Sequence, residues 1–328
     1  MFRRTMQLLF CAAVSLAAST ALAQGSADYP RRPIRMVIPF APGGASDFVG
    51  RIISVRMGEL LGQQIVIENR AGAAGNIGME MAAKAAPDGY TLYLGNIGTL
   101  AINPALYANL SVQPLKDFAP VTLVSDMPSA LVANNALPVA SVKELVAYLK
   151  AQPGKYNYAS PGSGSLNRLE MEIFRKANGI DMTHVPYKGG AGPATVGLIG
   201  GETQVMFNTM ASVISFIKAG RVKGLAVTTA KRIPQLPDVP TLVELGYPDM
   251  VSSSWQAILV PVGTPREIIK ILHDAVVQAV ESPEVRQKLT TGGAVATTSK
   301  SPEEFANFLA AETRRWGSVA ADVGAKAD

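Results

Sequence analysis

Apolar and polar positions along the chain switch repeatedly between a two-residue and a helical period. Ile34-Arg-Met-Val-Ile-Pro-Phe40 predicts a strand, stopped by the turn Pro42-Gly43-Gly44. Phe48, Ile52, Ile53 and Val55 follow at mostly helical spacing, with Ser46 or Asp47 as the expected N-cap. Gln64–Glu68 predicts a second strand, residues 77–85 a helix after Gly72-Ala-Ala-Gly75, and Thr91–Leu94 a third strand ending at Gly95-Asn96-Ile97-Gly98-Thr99. The rhythm then restarts. Ser129–Ala133 predicts a strand, and Ser141 is expected to cap a helix to Lys150 with Val142, Leu145, Val146 and Leu149 on one face. Tyr156–Ala159 leads into Ser160-Pro-Gly-Ser-Gly-Ser165 and a helix over 166–177. Thr183–Pro186 precedes Tyr187-Lys-Gly-Gly190 and a helix over 193–199. Val205–Phe207, Gly224–Thr228 and Gln256–Val260 complete the strands, and three helices start near Thr264, Ser282 and Ser301, each followed by proline.

Strand, turn and helix in this order predict α/β layering with a largely parallel sheet. Two similar halves and a return segment predict two lobes joined by crossovers near Ser125–Pro128 and Tyr247–Ser253. One large doubly wound sheet is the alternative.

The N-terminus breaks the pattern. Arg3 and Arg4 precede eleven apolar or small residues, Leu8–Ala18, and Ala21-Leu22-Ala23 is the small-x-small motif that a signal peptidase reads. The apolar run is short of the ~20 residues a membrane span needs. Phe10 before Cys11 argues against a lipoprotein. Residues 1–23 are therefore expected to be a cleaved export signal, and the product a soluble periplasmic protein. Loss of this segment takes 328 residues to 305, the net charge from +5 to +3, and the cysteine count from one to zero. With 48% hydrophobic and 17% charged residues, the chain is too apolar for intrinsic disorder. Two histidines and no cysteine in the mature chain leave little for a metal site, and no Lys/Arg run marks a nucleic-acid binder.

The chemistry concentrates in two glycine-rich turns, Pro42-Gly-Gly-Ala-Ser-Asp47 and Ser160-Pro-Gly-Ser-Gly-Ser165, at equivalent places in the two halves. Each sets backbone N–H groups at a helix N-terminus, where the helix dipole also favours an anion. A carboxylate is the ligand chemistry this suits; two ordinary turns are the plainer alternative. Neither turn is a P-loop, and Gly72-Ala-Ala-Gly-Asn-Ile-Gly78 lacks dinucleotide spacing, so no cofactor is expected. Ser163 lies outside any G-x-S-x-G elbow, and His273, beside Ile269, Leu272 and Val276, reads as a helix-surface histidine, so catalysis is not expected. Asp47 either points away as a structural cap or meets an ammonium or hydroxyl group of the ligand. Phe40, Phe48, Tyr187 and Phe207 are candidates for an apolar wall.

Taken in order, Pro42-Gly-Gly-x-x-Asp47, Asn103-Pro-Ala-Leu-Tyr107, Ala159-Ser-Pro-Gly-Ser-Gly-Ser165, Val185-Pro-Tyr-Lys-Gly189 and Trp255-x-x-x-x-Val-Pro261 resemble the Bug family of periplasmic solute-binding proteins. The likeness runs from about Tyr29 to Trp316. It implies a two-lobed type II periplasmic-binding-protein-like α/β fold with the ligand cleft between the lobes: 24–126 plus 252–328 as lobe 1, and 127–251 as lobe 2. It also implies a non-enzymatic monomer that captures a di- or tricarboxylate, an acidic amino acid or an aromatic acid. The implied partners are the permease subunits of a tripartite tricarboxylate transporter, with a sensor kinase as the alternative. The expected binding set is Pro42, Gly43, Gly44, Ser46, Asp47, Asn96, Thr99, Ser160, Gly162, Ser163, Gly164, Ser165, Tyr187, Lys188, Gly189 and Asn208, with no catalytic residue and no metal. Two positions depart from the family pattern: Arg168 stands where a histidine is frequent, and Gln204 replaces an aspartate. Arg168 is either a clamp on the ligand's far carboxylate or a surface partner of Glu172 at i, i+4.

Overall fold

The computed structural model describes residues 28–322 and 324. The expected signal segment, with Cys11, lies outside them. Ten strands and, counting those of eight residues or more, nine helices follow the chain. They are β1 (Ile34–Ile38), α1 (Ala45–Leu61), β2 (Ile65–Asn69), α2 (Asn76–Ala83), β3 (Thr91–Asn96), β4 (Phe118–Ala133), α3 (Val142–Lys150), β5 (Asn157–Ser160), α4 (Leu166–Asn178) and β6 (Thr183–Pro186). Then come α5 (Ala191–Gly200), β7 (Val205–Thr209), α6 (Met210–Lys218), β8 (Lys223–Val227), β9 (Ser253–Pro261), α7 (Arg266–Glu281), α8 (Pro283–Thr291), β10 (Val295–Ala296) and α9 (Pro302–Asp322). A π-helical turn, Gly98–Ile102, follows β3.

The strand order is β2-β1-β3-β9-β4-β7-β5-β6, with β8 and β10 also on β4. The expectation of a largely parallel sheet holds only at the two ends. β2-β1-β3 and β6-β5-β7 are parallel, whereas β9 and β4 run antiparallel to every strand they pair with. The physical reason is that these two strands carry the chain back and forth between the halves. β4 pairs with β9 from Phe118 to Pro128, then with β7 and β8 from Ser129 to Ala133. Only its last five residues were expected as strand. Pro120 and Pro128 make the first eleven read as irregular, and the ladder accommodates this part with register shifts at Pro120/Thr122 and Leu123/Ser125.

Both faces of the sheet are buried, so alternate residues of one strand enter different cores. Ile34, Met36 and Ile38 pack with α1 and α7 residues on one side, while Val37 joins Tyr93, Phe305 and Trp316 on the other. In the second half, Leu131 and Ala133 belong to one core and Ala130 and Val132 to its opposite. α9 closes the first half through an ionic pin. The buried Glu312 accepts from Trp255 Nε1 at 2.9 Å and from Trp316 Nε1 at 3.0 Å. No helix of the described residues is long and apolar enough to cross a membrane.

Where the two halves meet, the crossing strands are tied side by side. Ser129 N–H donates to Thr228 Oγ1 at 2.9 Å, and Thr228 Oγ1 donates to Ser252 O at 2.8 Å. The fully buried Glu170 of α4 adds a second tie, accepting from Ser252 Oγ (2.6 Å) and from Asn167 Nδ2 (2.9 Å), which also donates to Ser129 Oγ at 2.9 Å. Burial pushes the Glu170 carboxyl above the ordinary carboxylate range, and the bonds from Ser252 and Asn167 only partly oppose it.

The Glu312 pin generates a prediction. Glu312→Leu leaves two buried indole N–H groups without an acceptor and destabilises the fold by about 3 kcal/mol, measured as a lower urea midpoint. Glu312→Gln, which keeps an acceptor oxygen, loses clearly less. Equal losses for the two variants would contradict the pin.

Candidate functional site

The cavity between the halves is assembled from helix starts. α1 begins after Gly44 and α5 after Gly190, and neither N-cap supplies a side-chain acceptor to the leading N–H groups. The expected cap at Ser46 or Asp47 is therefore corrected: both lie inside the first turn of α1, because extended Gly44 already takes the cap position. α4 begins at Leu166 with Ser165 as cap, its Oγ accepting from Arg168 N at 3.2 Å. The π-helical turn starts at Gly98, and α6 follows Thr209. Residues from all five starts line one cavity of about 40 Å³: Gly44, Ala45 and Ser46; Ser165, Leu166 and Asn167; Ala191; Ile97 and Gly98; Thr209. Phe40, Ala74, Asn96, Pro161, Gly164, Ser254 and Gln256 complete the wall. None of these side chains is charged.

The halves touch across this cavity. Ala41 N–H donates to Gly189 O at 3.0 Å. A Cβ on Gly192 would stand 2.9 Å from Pro42 O, so only glycine allows the two turns to approach this closely. Gly43 is needed for a different reason: its φ of 86° is left-handed, although nothing crowds it.

Of the expected binding set, Gly44, Ser46, Asn96, Gly164 and Ser165 line the cavity. The remaining eleven residues stand outside its wall. Pro42, Gly43, Ser160, Gly162 and Ser163 shape the two turns. Thr99 braces the π-turn, its N–H donating to Asn96 Oδ1 at 3.0 Å. Tyr187 donates to Glu202 at 2.8 Å, and Lys188 is exposed. Gly189 makes the contact with Ala41, and buried Asn208 donates to Thr195 Oγ1 at 2.7 Å. Phe40 alone of the four candidate wall aromatics lines the cavity. Phe48 packs at Gly292 and Phe207 against Phe174.

Asp47 points away from the cavity. Its carboxylate accepts from Gly43 N at 3.1 Å, Arg51 Nε at 2.9 Å and Asn69 Nδ2 at 3.1 Å, which fixes the first turn as a structural cap would. Burial alone would raise its pKa; the bonds from Arg51, Gly43 and Asn69 outweigh burial and hold it below the ordinary value.

The second turn is pinned by Ser160, whose Oγ lies 2.6 Å from His184 Nε2 and 3.0 Å from Gly162 O. Burial and the charges of Arg168 and Arg175 push His184 down to about 4, so it is neutral at physiological pH. Ser160 itself is fully buried, which suits a pin and not a nucleophile. Arg168 donates from Nη1 to Ser163 O at 3.0 Å, bracing the same turn. Glu172 accepts from Tyr158 Oη and faces Arg175 at 3.5 Å. Gln204 also serves structure, its Oε1 accepting from Asn157 N at 2.9 Å. His273 is corrected from surface to buried, with Nε2 at 3.1 Å from Ser299 O. Among the described residues, no cluster of three or more His, Cys, Asp or Glu is placed to hold a metal ion.

Asn167, Thr209, Ser254 and Gln256 are the polar lining residues that sequence reasoning missed. Three lie on strands, Thr209 on β7 and Ser254 and Gln256 on β9, and only strand register brings them to the site.

Comparison with known proteins now decides the lineage. Residues 49–325 match the family described as tripartite tricarboxylate transporter family receptor (TctC). The chain belongs to that family. Protein BugT of Bordetella pertussis is 38% identical over 322 residues, covering 98% of each chain. The solved periplasmic binding protein BugD superposes with a TM-score of 0.88 at 33% identity, covering 92% of this chain and all of that one. Rpa4515 of R. palustris, solved with adipate, gives a TM-score of 0.88 at 35% identity, with the same coverage. The fold is thus the two-lobed α/β fold of periplasmic binding proteins, and the chain is a Bug-type solute-binding protein.

Because the Asp47 pKa is depressed in the folded protein, its contribution is complete above the unfolded value of about 4 and disappears as pH falls through the folded one. Asp47→Asn should therefore flatten the loss of stability on acidification below about pH 4. Urea melts of both proteins at pH 3 to 7 check this; parallel pH profiles would refute it.

Proposed function

We propose that the chain is an exported periplasmic receptor that captures a small carboxylate between its lobes and delivers it to the permease of a tripartite tricarboxylate transporter. In this reading residues 1–23 are the removed signal, 24–126 with 252–328 form one lobe, 127–251 form the other, and the protein acts as a monomer without catalysis. The observation that carries it is the uncharged cavity on which five helix starts converge. An anion there is stabilised by backbone N–H groups and helix dipoles in place of a counter-ion. Charge-assisted hydrogen bonds contribute about 1.5–3 kcal/mol each. Four or five are enough for micromolar affinity after the cost of association. The adipate bound to Rpa4515 belongs to the class of small carboxylates.

Capture and closure are one equilibrium. The wall comes from both halves, so a ligand favours the closed form by its contacts to the second lobe, over and above those made to the first. Gly44 and Ser46 hold one side, and Gly164, Ser165 and Ala191 complete the enclosure.

A thermal-shift screen over C4–C8 dicarboxylates, citrate, acidic amino acids and aromatic acids, each beside its amide, tests the proposal. At a hundred times Kd a ligand adds about 2.7 kcal/mol, so at least one acid should raise Tm by about 5 °C while its amide does not. Failure of every acid to stabilise the protein would sink the carboxylate reading.

A further inference from the structure

One wall of the cavity carries an unanswered polar group. Gln256 of β9 stands opposite Asn96 of β3 and Ser125 of β4. Directly opposed residues share a face of the sheet, so the three form a polar row across it. Asn96 Oδ1 is occupied by Thr99 N–H. The Gln256 side chain is fully buried, and its Oε1 accepts from Ser46 Oγ at 2.8 Å. That bond orients the carboxamide and leaves Nε2 buried without a partner. Of the cavity-lining side chains among the described residues, Gln256 is the one with such an orphaned atom. Buried polar groups are almost always satisfied, so a donor left open on a cavity wall asks for a ligand acceptor.

The rest of the wall carries neutral hydroxyl and amide groups. The helix starts supply N–H donors, and no carboxylate lines the cavity. Asp47, the nearest acid in sequence to the first turn, already takes three donors and points elsewhere. A ligand ammonium brought into this enclosure would meet neutral groups and no counter-charge, a costly burial.

Resting on the carboxylate reading above, we infer that the site selects acids without an amino group, dicarboxylates or hydroxy acids, and that Gln256 Nε2 sets this preference by donating to a ligand oxygen. Gln256 is thus a specificity-determining residue, distinct from the backbone groups that anchor the anion.

Matched pairs differing only by the ammonium group test this: succinate with aspartate, glutarate with glutamate, and adipate with 2-aminoadipate. Calorimetry on the wild-type protein should favour the amino-free member of the best-bound pair by about 100-fold or more. Gln256→Glu puts an acceptor where the donor was. It should weaken the dicarboxylate at least about 30-fold and shrink or invert the preference. Gln256→Met, which removes the donor without adding charge, should weaken the dicarboxylate about tenfold and leave the affinity for the amino acid unchanged. Melting curves without ligand identify a variant that fails to fold, and the other variant then decides. Wild-type preference for the amino acid, or equal losses for both members of a pair in the folded variants, overturns the inference. If the wild type binds dicarboxylates and their amino counterparts alike, the selectivity claim falls while the carboxylate reading stands. If no acid binds at all, the carboxylate reading itself falls and this inference with it.

Discussion

The absence of any charged side chain from the cavity wall is the constraint on which the rest of the architecture turns. On the proposed reading, an enclosure that holds an anion by backbone dipoles alone must bring several helix starts to one point, because each offers only its leading N–H groups. Five segments begin there, drawn from both halves. Glycine is the cap at two of them, Gly44 and Gly190, so neither helix spends those groups on its own cap side chain. The titratable residues nearby are turned to positioning. Asp47 ties the first turn to Arg51 and Asn69, and neutral His184 ties the second through Ser160.

Much of this order is legible in the sequence because it is local. Ser141 and Ser165 cap the helices that their positions announce, and Thr183–Pro186 is a strand as its composition indicates. The glycine turns are correctly placed between strand and helix in each half. What escapes is long-range. The first part of β4 hides behind two prolines that a central strand rarely tolerates, yet the ladder with β9 takes them in with two register shifts. α6 is short and mostly apolar, with Ser215 and Lys218 exposed, so nine residues give its helical period little room to show.

The candidate site shows the same division. Turn glycines and helix caps can be read from spacing, and five of the sixteen expected residues reach the wall. The others stand outside it; Asp47 and Ser160, for instance, fix the two turns through their own hydrogen bonds. Gln256 gives no signal because it sits in an apolar strand, Trp255-Gln-Ala-Ile-Leu-Val-Pro261, where one polar residue reads as an interruption. Only the pairing of β9 with β3 and β4 shows which face it occupies.

The side-by-side passage of the two connections has a mechanical consequence. Ser129 and Ser252 are both bonded to Thr228, and Glu170 clasps the same place from α4. Two adjacent strands pinned at one level act like paired door hinges. In the proposed closure they would leave rotation about a line through the pins as the soft motion, since twisting or sliding one half over the other would break these buried hydrogen bonds. A fastening of this kind would keep the two lips of the cavity in register by hydrogen-bond geometry, without a covalent link between them.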